Sequence, residues 1–280
     1  MSLGPQITAL SGNRLHLHHG PIDLILWAQG QARSQAYAQA IARFETVLPE
    51  LAAELTELRQ TTPTALQGVI ACKMQMATEP FRPRFITPMA AVAGAVADEV
   101  LAAMTAGTGL LRAYVNNGGD IAIHLARDQS LTSAIALPRG AQDRVTLRHL
   151  DPARGIATSG WRGRSFSLGI ADAVTVVART AAMADAAATM IANQVNLPGH
   201  PAITRSPAHD VQYDSDLGSR VVTTGVERLD QADVARALRR GQTAAQDYLS
   251  RGLIAGAALF LQSKTQTLGT FSLEKEPALA

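Results

Sequence analysis

Residues 173–193 read AVTVVARTAAMADAAATMIAN. The first six, Ala173–Ala178, form a short apolar run without alternation, which is typical of a strand covered on both faces. Thr180 then offers a hydroxyl cap to an alanine-rich segment that predicts a helix reaching roughly Asn193. The stretch therefore predicts a buried strand followed by a helix.

Asp185 and Thr189 stand four residues apart on the predicted helix, so both side chains project from the same face. A carboxylate and a hydroxyl placed in this way suit a hard cation such as Mg²⁺, which completes its shell with waters and substrate phosphates. The alternative is a structural pair, with an acidic residue favoured by the helix macrodipole beside a buried threonine. Spacing alone favours this structural alternative.

Helices and strands mix along the rest of the chain without strict β-α-β alternation, which favours the α+β class. The predicted strands are Arg14–His19, Ile22–Ala28, Leu111–Val115, Ile121–Leu125, Leu131–Leu137, Val145–Leu150, Ala173–Ala178 and Leu253–Phe260. The predicted helices are an amphipathic stretch from Tyr37 to Leu58 interrupted by Pro49, then Ala65–Ala77, Met89–Met104 after a Thr87 cap, Thr180–Asn193, and Gln231–Leu249 after an Asp230 cap. The polar stretch Pro201–Gly218 is predicted to be an irregular surface loop.

Length and composition limit the class of protein. The chain has 280 residues, of which 47% are hydrophobic and 17% charged, so residues 1–280 can form one large domain or two interlocked subdomains. The net charge is only +2 and no basic face is clustered, so nucleic acid is not expected as a partner. The single cysteine, Cys72, excludes an internal disulfide and a thiolate metal cluster. Without a signal peptide pattern or an uncharged stretch of membrane-spanning length, we expect a cytoplasmic protein with no membrane partner.

Two other segments contain residues suited to binding phosphate. The turn Asn116–Asp120 has Gly118 and Gly119 where the backbone must turn tightly or approach a ligand, although a bare hairpin turn explains it equally well. The segment Ala157–Ser165 combines hydroxyl residues and glycines with Arg162 and Arg164, and such N–H groups and guanidinium forks suit phosphate oxygens. A solvated loop is the alternative for this second segment. No G-x-S-x-G elbow, P-loop or dinucleotide fingerprint is present.

Taken in order, these pieces resemble the FAD:protein FMN transferases over roughly residues 87–193. Four anchors carry the resemblance, and each is weak alone but specific in this order. They are the small-residue helix Ala90-Ala91-Val92-Ala93-Gly94-Ala95-Val96-Ala97-Asp98, the turn Asn117-Gly118-Gly119-Asp120-Ile121, the loop Thr158-Ser159-Gly160, and Ala184-Asp185-Ala186-x-Ala188-Thr189. The segments Leu15–Leu26, Gly155–Val177 and Ala181–Asn193 resemble an ApbE-like branch of that superfamily still more closely.

The resemblance implies a T-fold-like arrangement of helices and antiparallel-rich sheets, together with an activity. In the transferases, a Mg²⁺-bound FAD is cleaved at its pyrophosphate, FMN passes to a threonine hydroxyl of an acceptor protein, and AMP leaves. By this resemblance Asp185 and Thr189 would bind the metal, with a backbone carbonyl near Val92 and Ala93 as a further ligand. The residues of the flavin or nucleotide pocket would be Asn117, Gly118, Gly119, Asp120, Ser159, Gly160, Arg162 and Arg164.

Two departures from the transferases bear on catalysis. Ala93 replaces the lysine of the small-residue helix, and between Gly160 and Val174 there is no histidine segment of the form His-Ile-x-Asp-Pro followed by Gly. A cation beside the phosphates and a general base would then be missing, and only Arg162 or Arg164 could replace the cation.

The sequence therefore supports two hypotheses. The first is a Mg²⁺-dependent protein that processes a flavin or related nucleotide, and the second is a non-catalytic flavin- or nucleotide-binding protein, such as a carrier or assembly factor. A third, weaker hypothesis keeps the scaffold for partner contacts only. Under the first, an acceptor protein is a further partner, and the alanine-rich helices could bury against a second copy of the chain.

Overall fold

The structure is a computed structural model of the chain, and it describes residues 4–136, 142–269 and 274–275. These residues contain helices and antiparallel strand pairs in mixed order, which confirms the predicted α+β class. The strands are β1 Gln6–Leu10, β2 Arg14–His19, β3 Ile22–Gln29, β4 Arg112–Asn117, β5 Asp120–Leu125, β6 Ser130–Ala136, β7 Gln142–Arg148, β8 Gly155–Ser159, β9 Ala173–Ala178, β10 Ile203–Pro207, β11 Val221–Val226, β12 Gly256–Leu261, β13 Lys264–Gly269 and β14 Glu274–Lys275. The helices are α1 Arg33–Ala53, α2 Leu55–Leu58, α3 Val69–Thr78, α4 Val92–Thr105, α5 Ala181–Gln194, α6 Ala208–Val211 and α7 Gln231–Ser250.

The chain divides into two compact units, and it passes between them several times. The first unit comprises Met1–Thr132, Thr146–Ala157 and Ala178–Ala186. The second comprises Ser133–Val145, Thr158–Val177 and Ala187–Ala280. The expectation of one domain, or of two interlocked subdomains, over residues 1–280 stays a prediction.

In the first unit, strands β1 to β5 pair in sequence order as an antiparallel meander, and Ile121 of β5 pairs with Ile156 of β8. Strands β2, β3 and β4 alternate between buried and more accessible residues, as expected when one sheet face packs on a core. That face includes Leu17, Leu24 and Val115, which are fully buried, and helices α1 and α4 pack on it. Strand β1 was not predicted from the sequence.

Helix α1 runs through Pro49 without a break and ends at Ala53, and a short α2 follows. The sequence predicts either a kink or two helices in line at Pro49. The division into two helices there is wrong, because Pro49 lies within α1, one turn before the helix ends, and the kink stays a prediction. Phe44, Leu51 and Leu58 are buried, so the apolar stripe does keep one face across the proline.

Pro88 opens a short 3₁₀ turn that leads into α4, although Thr87 makes no side-chain capping hydrogen bond to it. In the described part of the chain, the segment Pro88–Thr105 is the one whose length and composition would allow it to cross a membrane, with a mean hydropathy of 1.3. Half of that segment is buried, and α4 packs against α1, β4 and β5. These contacts identify α4 as a core helix of the first unit.

A network of ions ties α1, α3 and α4 together in the first unit. Arg43 donates to Glu99 at 2.9 Å and makes a two-pronged contact with Glu50 at 2.8 Å, while Lys73 pairs with the other oxygen of Glu99. Burial alone would raise the pKa of Glu99, but hydrogen bonds and charge from Lys73 and Arg43 outweigh it and lower the pKa. The carboxylate is 15% exposed, so solvent screens these contacts only weakly.

Replacing Glu99 by Gln is expected to lower the free energy of unfolding by about 2 kcal/mol at pH 7. Because the pKa of Glu99 is lowered below its ordinary value of 4.5, the contribution is complete above that pH and is lost as the pH falls through the folded-state value. Urea unfolding of the two proteins between pH 3 and 7 measures the difference. The exposed Glu45→Gln on α1 is the control, and a difference that grows on acidification would contradict the account.

In the second unit, β9 and β12 pair antiparallel and β12 pairs with β13. Every residue of β9 and β12 is buried, which confirms the strand covered on both faces that the sequence predicted for Ala173–Ala178. Helix α7 packs on β12 and β13 and begins where Asp230 accepts a hydrogen bond from the Asp233 N–H at 2.7 Å, the predicted cap. Arg144 of β7 also pairs with Glu274 of β14 in this unit.

The prediction of an irregular loop over Pro201–Gly218 is wrong. Residues Ile203–Pro207 form β10, which pairs antiparallel with β11, and the short helix α6 follows directly. A bulge between Thr204 and Arg205 shifts the register of this ribbon. The bulge and the polar composition together conceal the alternation by which a strand is recognised.

Candidate functional site

The turn between β4 and β5 is a two-residue hairpin made by Gly118 and Gly119, with φ of 64° and 117°. Positive φ at both positions is the type I′ requirement that glycine meets without strain. Asn117 is 6% exposed, and its side-chain amide donates to the carbonyl oxygen of Ala93 at 3.1 Å. The predicted glycine turn thereby lies against the start of α4 within the first unit.

Asp185 lies on α5 and contacts that same start of α4. Its Oδ2 accepts a hydrogen bond from the backbone N–H of Gly94 at 3.0 Å. Burial raises the pKa of the Asp185 carboxyl well above its usual value, and the charges of Asp120 and Asp98 raise it too, while backbone hydrogen bonds from Gly94 and Ala93 act in the opposite direction. Among these causes, the charges are those of two carboxylates, and no cation of the described residues acts on Asp185.

Asp98 orients the N-terminus of α5, a role that the sequence analysis missed. Its two carboxylate oxygens accept hydrogen bonds from the N–H groups of Ala181 and Ala182 at 3.0 and 2.9 Å. These are two of the orphan donors of the first helical turn, so a carboxylate from α4 caps α5. The segment Ala90–Asp98 that carries the resemblance includes Asp98, but it does not indicate which N–H groups this carboxylate meets.

Thr180 supplies a second, local cap, since its hydroxyl accepts a hydrogen bond from the Met183 N–H at 3.2 Å. Gly94 permits the close approach of α4 to this helix start. A Cβ on Gly94 would lie 2.2 Å from the carbonyl oxygen of Ala181, a distance no real side chain could occupy.

Thr189 also lies on α5, and in the second unit its hydroxyl is 3.4 Å from the hydroxyl of Ser159 at the end of β8. The neighbouring Gly160 is buried, and an added Cβ there would meet the carbonyl oxygen of Asp172 at 2.6 Å. Gly160 is therefore required by packing between backbones. The predicted Ser159-Gly160 loop is in fact the end of a strand followed by this close contact.

The two arginines predicted to bind phosphate differ in their surroundings. The Nε of Arg162 donates to Asp172 at 2.7 Å, and its guanidinium lies 4.5 Å from the ring centre of Trp161. Arg164 is exposed, and no residue within the range 142–269 accepts a hydrogen bond from its guanidinium. Arg162 is partly neutralised by Asp172, so Arg164 is the better candidate for an unshared positive charge.

The first unit thus brings together Asn117, Asp120 and Asp185, and the second brings together Ser159 and Thr189. Within the described residues, no three His, Cys, Asp or Glu side chains converge into a metal site of their own. Mg²⁺ does not need such a cluster, because one or two carboxylates suffice when hydroxyl or carbonyl oxygens, water and substrate complete its shell. The carboxylates of Asp120 and Asp98 act on the buried carboxylate of Asp185, and such a group of carboxylates fits a divalent ion.

A histidine followed closely by Asp-Pro lies earlier in the chain than the interval Gly160–Val174. Residues His149-Leu150-Asp151-Pro152 precede Gly155 by three positions, ahead of Thr158-Ser159-Gly160. In the structure, Asp151 accepts a hydrogen bond from the Arg148 N–H at 2.7 Å, and the ring of His149 lies 3.9 Å from a carboxylate oxygen of Asp128.

Solved structures with a related chain path include the apo flavinyl transferase ApbE of Pseudomonas stutzeri, at 14% identity, 96% coverage of both chains and a TM-score of 0.45. The flavin transferase ApbE from Vibrio cholerae is 13% identical, covers 95% of this chain and 98% of its own, and has a TM-score of 0.47. Likenesses at this level do not transfer a site.

Curated relatives are more similar over a shorter length. A UPF0280 protein of Methanopyrus kandleri is 38% identical over 125 residues, 44% of this chain and 48% of the relative. A UPF0280 protein of Methanothrix thermoacetophila is 41% identical over 114 residues, 39% of this chain and 46% of the relative. The chain matches about half the length of these relatives. The model of the family described as AbpE bacteria matches residues 7–270, which confirms the ApbE-like resemblance, and the chain belongs to that family.

Proposed function

We propose that this protein binds a flavin or a related nucleotide diphosphate together with Mg²⁺, and that Asp185 and Thr189 are metal ligands. The observation that carries the proposal is the carboxylate of Asp185, oriented by the Gly94 N–H at 3.0 Å beside the charges of Asp120 and Asp98. A buried carboxylate among other carboxylates is costly unless a cation balances it. This favours the metal interpretation over the structural pair.

The placement of Thr189 supports a hydroxyl ligand beside that carboxylate. One turn separates Thr189 from Asp185 on the continuous helix α5, and side chains four apart share a helix face. The Ala93 carbonyl, the further ligand implied by the resemblance, accepts a hydrogen bond from the Asn117 side chain at 3.1 Å, so the glycine turn lies beside this carbonyl. When bound, Mg²⁺ would neutralise charge on the pyrophosphate oxygens of the ligand.

The chain's own residues would bind and orient the rest of the nucleotide. The Gly118-Gly119 turn presents backbone without side chains, so a ligand can approach it closely. Ser159 offers a hydroxyl, and Arg164 a guanidinium that suits phosphate oxygens. Asp120 and Asn117 flank the turn, and Arg162 would share its charge between Asp172 and a ligand.

Transfer of FMN would require a threonine hydroxyl of an acceptor protein to attack the FMN phosphorus. The pyrophosphate P–O bond would break, AMP would leave, and the hydroxyl proton would pass to a base. Ala93 contributes no cation where the transferases have lysine, and no histidine lies between Gly160 and Val174. These substitutions favour, as the second candidate, a flavin or nucleotide carrier that performs no transfer.

Titration of the protein with FAD, with and without Mg²⁺, tests binding. We expect FAD to bind at least about tenfold tighter with the metal, measured by quenching of flavin fluorescence. Equal affinities with and without Mg²⁺ would contradict the metal site. Chromatography of the saturated mixture for AMP, after an acceptor protein with an exposed threonine is added, then distinguishes the two candidates, because only the enzyme releases AMP. We infer that the protein does this in the cytoplasm and without a membrane partner.

A further inference from the structure

A cleft lies wholly within the second unit, and it shares no residue with the Asp185 and Thr189 set. It has a volume of about 500 Å³, and the turn Pro198-Gly199 forms one wall. Arg205 and Arg220 line it together with Asn196. A cleft of this size accommodates a small molecule.

Arg205 holds a positive charge that no carboxylate of the described residues balances. Its guanidinium is half-buried and donates to three neutral acceptors: the Leu168 carbonyl at 2.8 Å, the Thr223 hydroxyl at 3.2 Å and the Asn196 side-chain oxygen. Burial lowers the pKa of Arg205, and no acidic side chain opposes that change. These acceptors fix the guanidinium in place and leave two of its five N–H groups available.

The fixed guanidinium of Arg205, without a carboxylate partner among the described residues, is costly in its partly buried setting, and an anionic ligand removes that cost. Arg220 adds a second guanidinium to the same cleft. On the other face of the Pro198-Gly199 turn, a smaller cleft is lined by Arg236 and Arg240. The nearby Asp233 pairs with His200 at 2.9 Å and with Arg236, so it does not neutralise the charge of Arg205.

The walls of the cleft also contain apolar surface. Leu168, Pro198 and Val221 contribute to it, and Val221 is 51% exposed. A ligand with both an anionic and an apolar part would therefore use the whole cleft. Guanidinium groups bind phosphate through paired N–H donors, and the tetrahedral group offers three acceptor oxygens to two arginines.

We propose that the cleft at Arg205 and Arg220 binds a small organic phosphate, with the phosphate on the two guanidinium groups and the organic part against Leu168, Pro198 and Val221. The proposal assigns a second ligand site to the protein, independent of any metal. It does not depend on the flavin hypothesis, because every residue of the cleft lies in the second unit and none belongs to the proposed metal site.

The test is calorimetry of the full chain in EDTA, which removes any metal-dependent binding. The probes are phenyl phosphate, inorganic phosphate and succinate. We expect phenyl phosphate to bind about tenfold tighter than inorganic phosphate, and succinate more weakly than either. No binding of phenyl phosphate at about 10 mM, or succinate binding as tightly as phenyl phosphate, overturns the proposal.

Variants test whether phenyl phosphate binds in this cleft. Val221→Glu puts a carboxylate at the exposed edge of the cleft and is expected to weaken phenyl phosphate at least about tenfold, with little effect on folding. Val69→Glu, at a residue 55% exposed on α3, is the matched control and should leave affinity unchanged. Arg205→Gln should abolish binding of phenyl phosphate. If the Arg205→Gln protein does not fold, Arg220→Ser tests the same cleft in its place. Unchanged affinity in Val221→Glu and Arg220→Ser shows that the ligand binds elsewhere.

Discussion

Replacing Asp185 by Ala is expected to abolish Mg²⁺-dependent FAD binding, with affinity at saturating metal reduced by at least about 100-fold. The substitution removes the carboxylate that the Gly94 N–H orients, and with it the charge that attracts the ion. Fluorescence titration of FAD at several Mg²⁺ concentrations measures the change. Glu45→Ala, which removes an exposed acid of α1, controls for the general loss of negative charge and should bind as the parent does.

The same position separates a metal ligand from a structural acid. Asp185→Asn keeps an acceptor for Gly94 but removes the repulsion from Asp120 and Asp98, so the metal-free variant should be more stable by about 1 kcal/mol. A functional carboxylate is expected to show this combination of greater stability and lost binding. If Asp185→Asn is less stable and FAD still binds with unchanged metal dependence, the pair with Thr189 is structural and the metal assignment is wrong.

Elements with a strong local pattern were predictable from the sequence. The unbroken apolar run of β9, the alanine-rich α5 and the Asp230 cap of α7 each depend on neighbours in the chain. The Gly118-Gly119 hairpin is similar, because positive φ at two successive residues strongly favours glycine whatever the surroundings. Interactions between residues that are neighbours in the chain determine these elements, so their pattern can be recognised in a single sequence.

Features set by distant partners were not predictable. Asp98 caps a helix 83 residues further along the chain, and nothing in its own segment indicates which N–H groups it meets. Arg162 was predicted to bind phosphate, whereas Asp172 takes its Nε, because two loops meet in space. Strand β10 was missed for a different reason. Its bulge interrupts the alternation of apolar and polar residues by which a strand is recognised, and its pairing with β11 is not visible in its own sequence.

Replacing Gly94 by Ala is expected to lower the free energy of unfolding by about 3 kcal/mol and to weaken any Mg²⁺-dependent binding. In an ordinary helix the same change stabilises by up to about 1 kcal/mol, so the sign of the effect is diagnostic. Here the new Cβ would lie 2.2–2.6 Å from the backbone of Ala181 and Ala182, and backbone cannot rotate away as a flexible side chain does. Separating α4 from α5 would also move the Gly94 N–H away from Asp185.

Urea unfolding measures the stability of the Gly94→Ala protein. Gly225→Ala, whose Cβ meets only the Thr204 side chain at 3.4 Å, is the control. Stability equal to the parent in Gly94→Ala would mean that the two helices are not in such close contact, and the orientation of Asp185 would lose its physical basis.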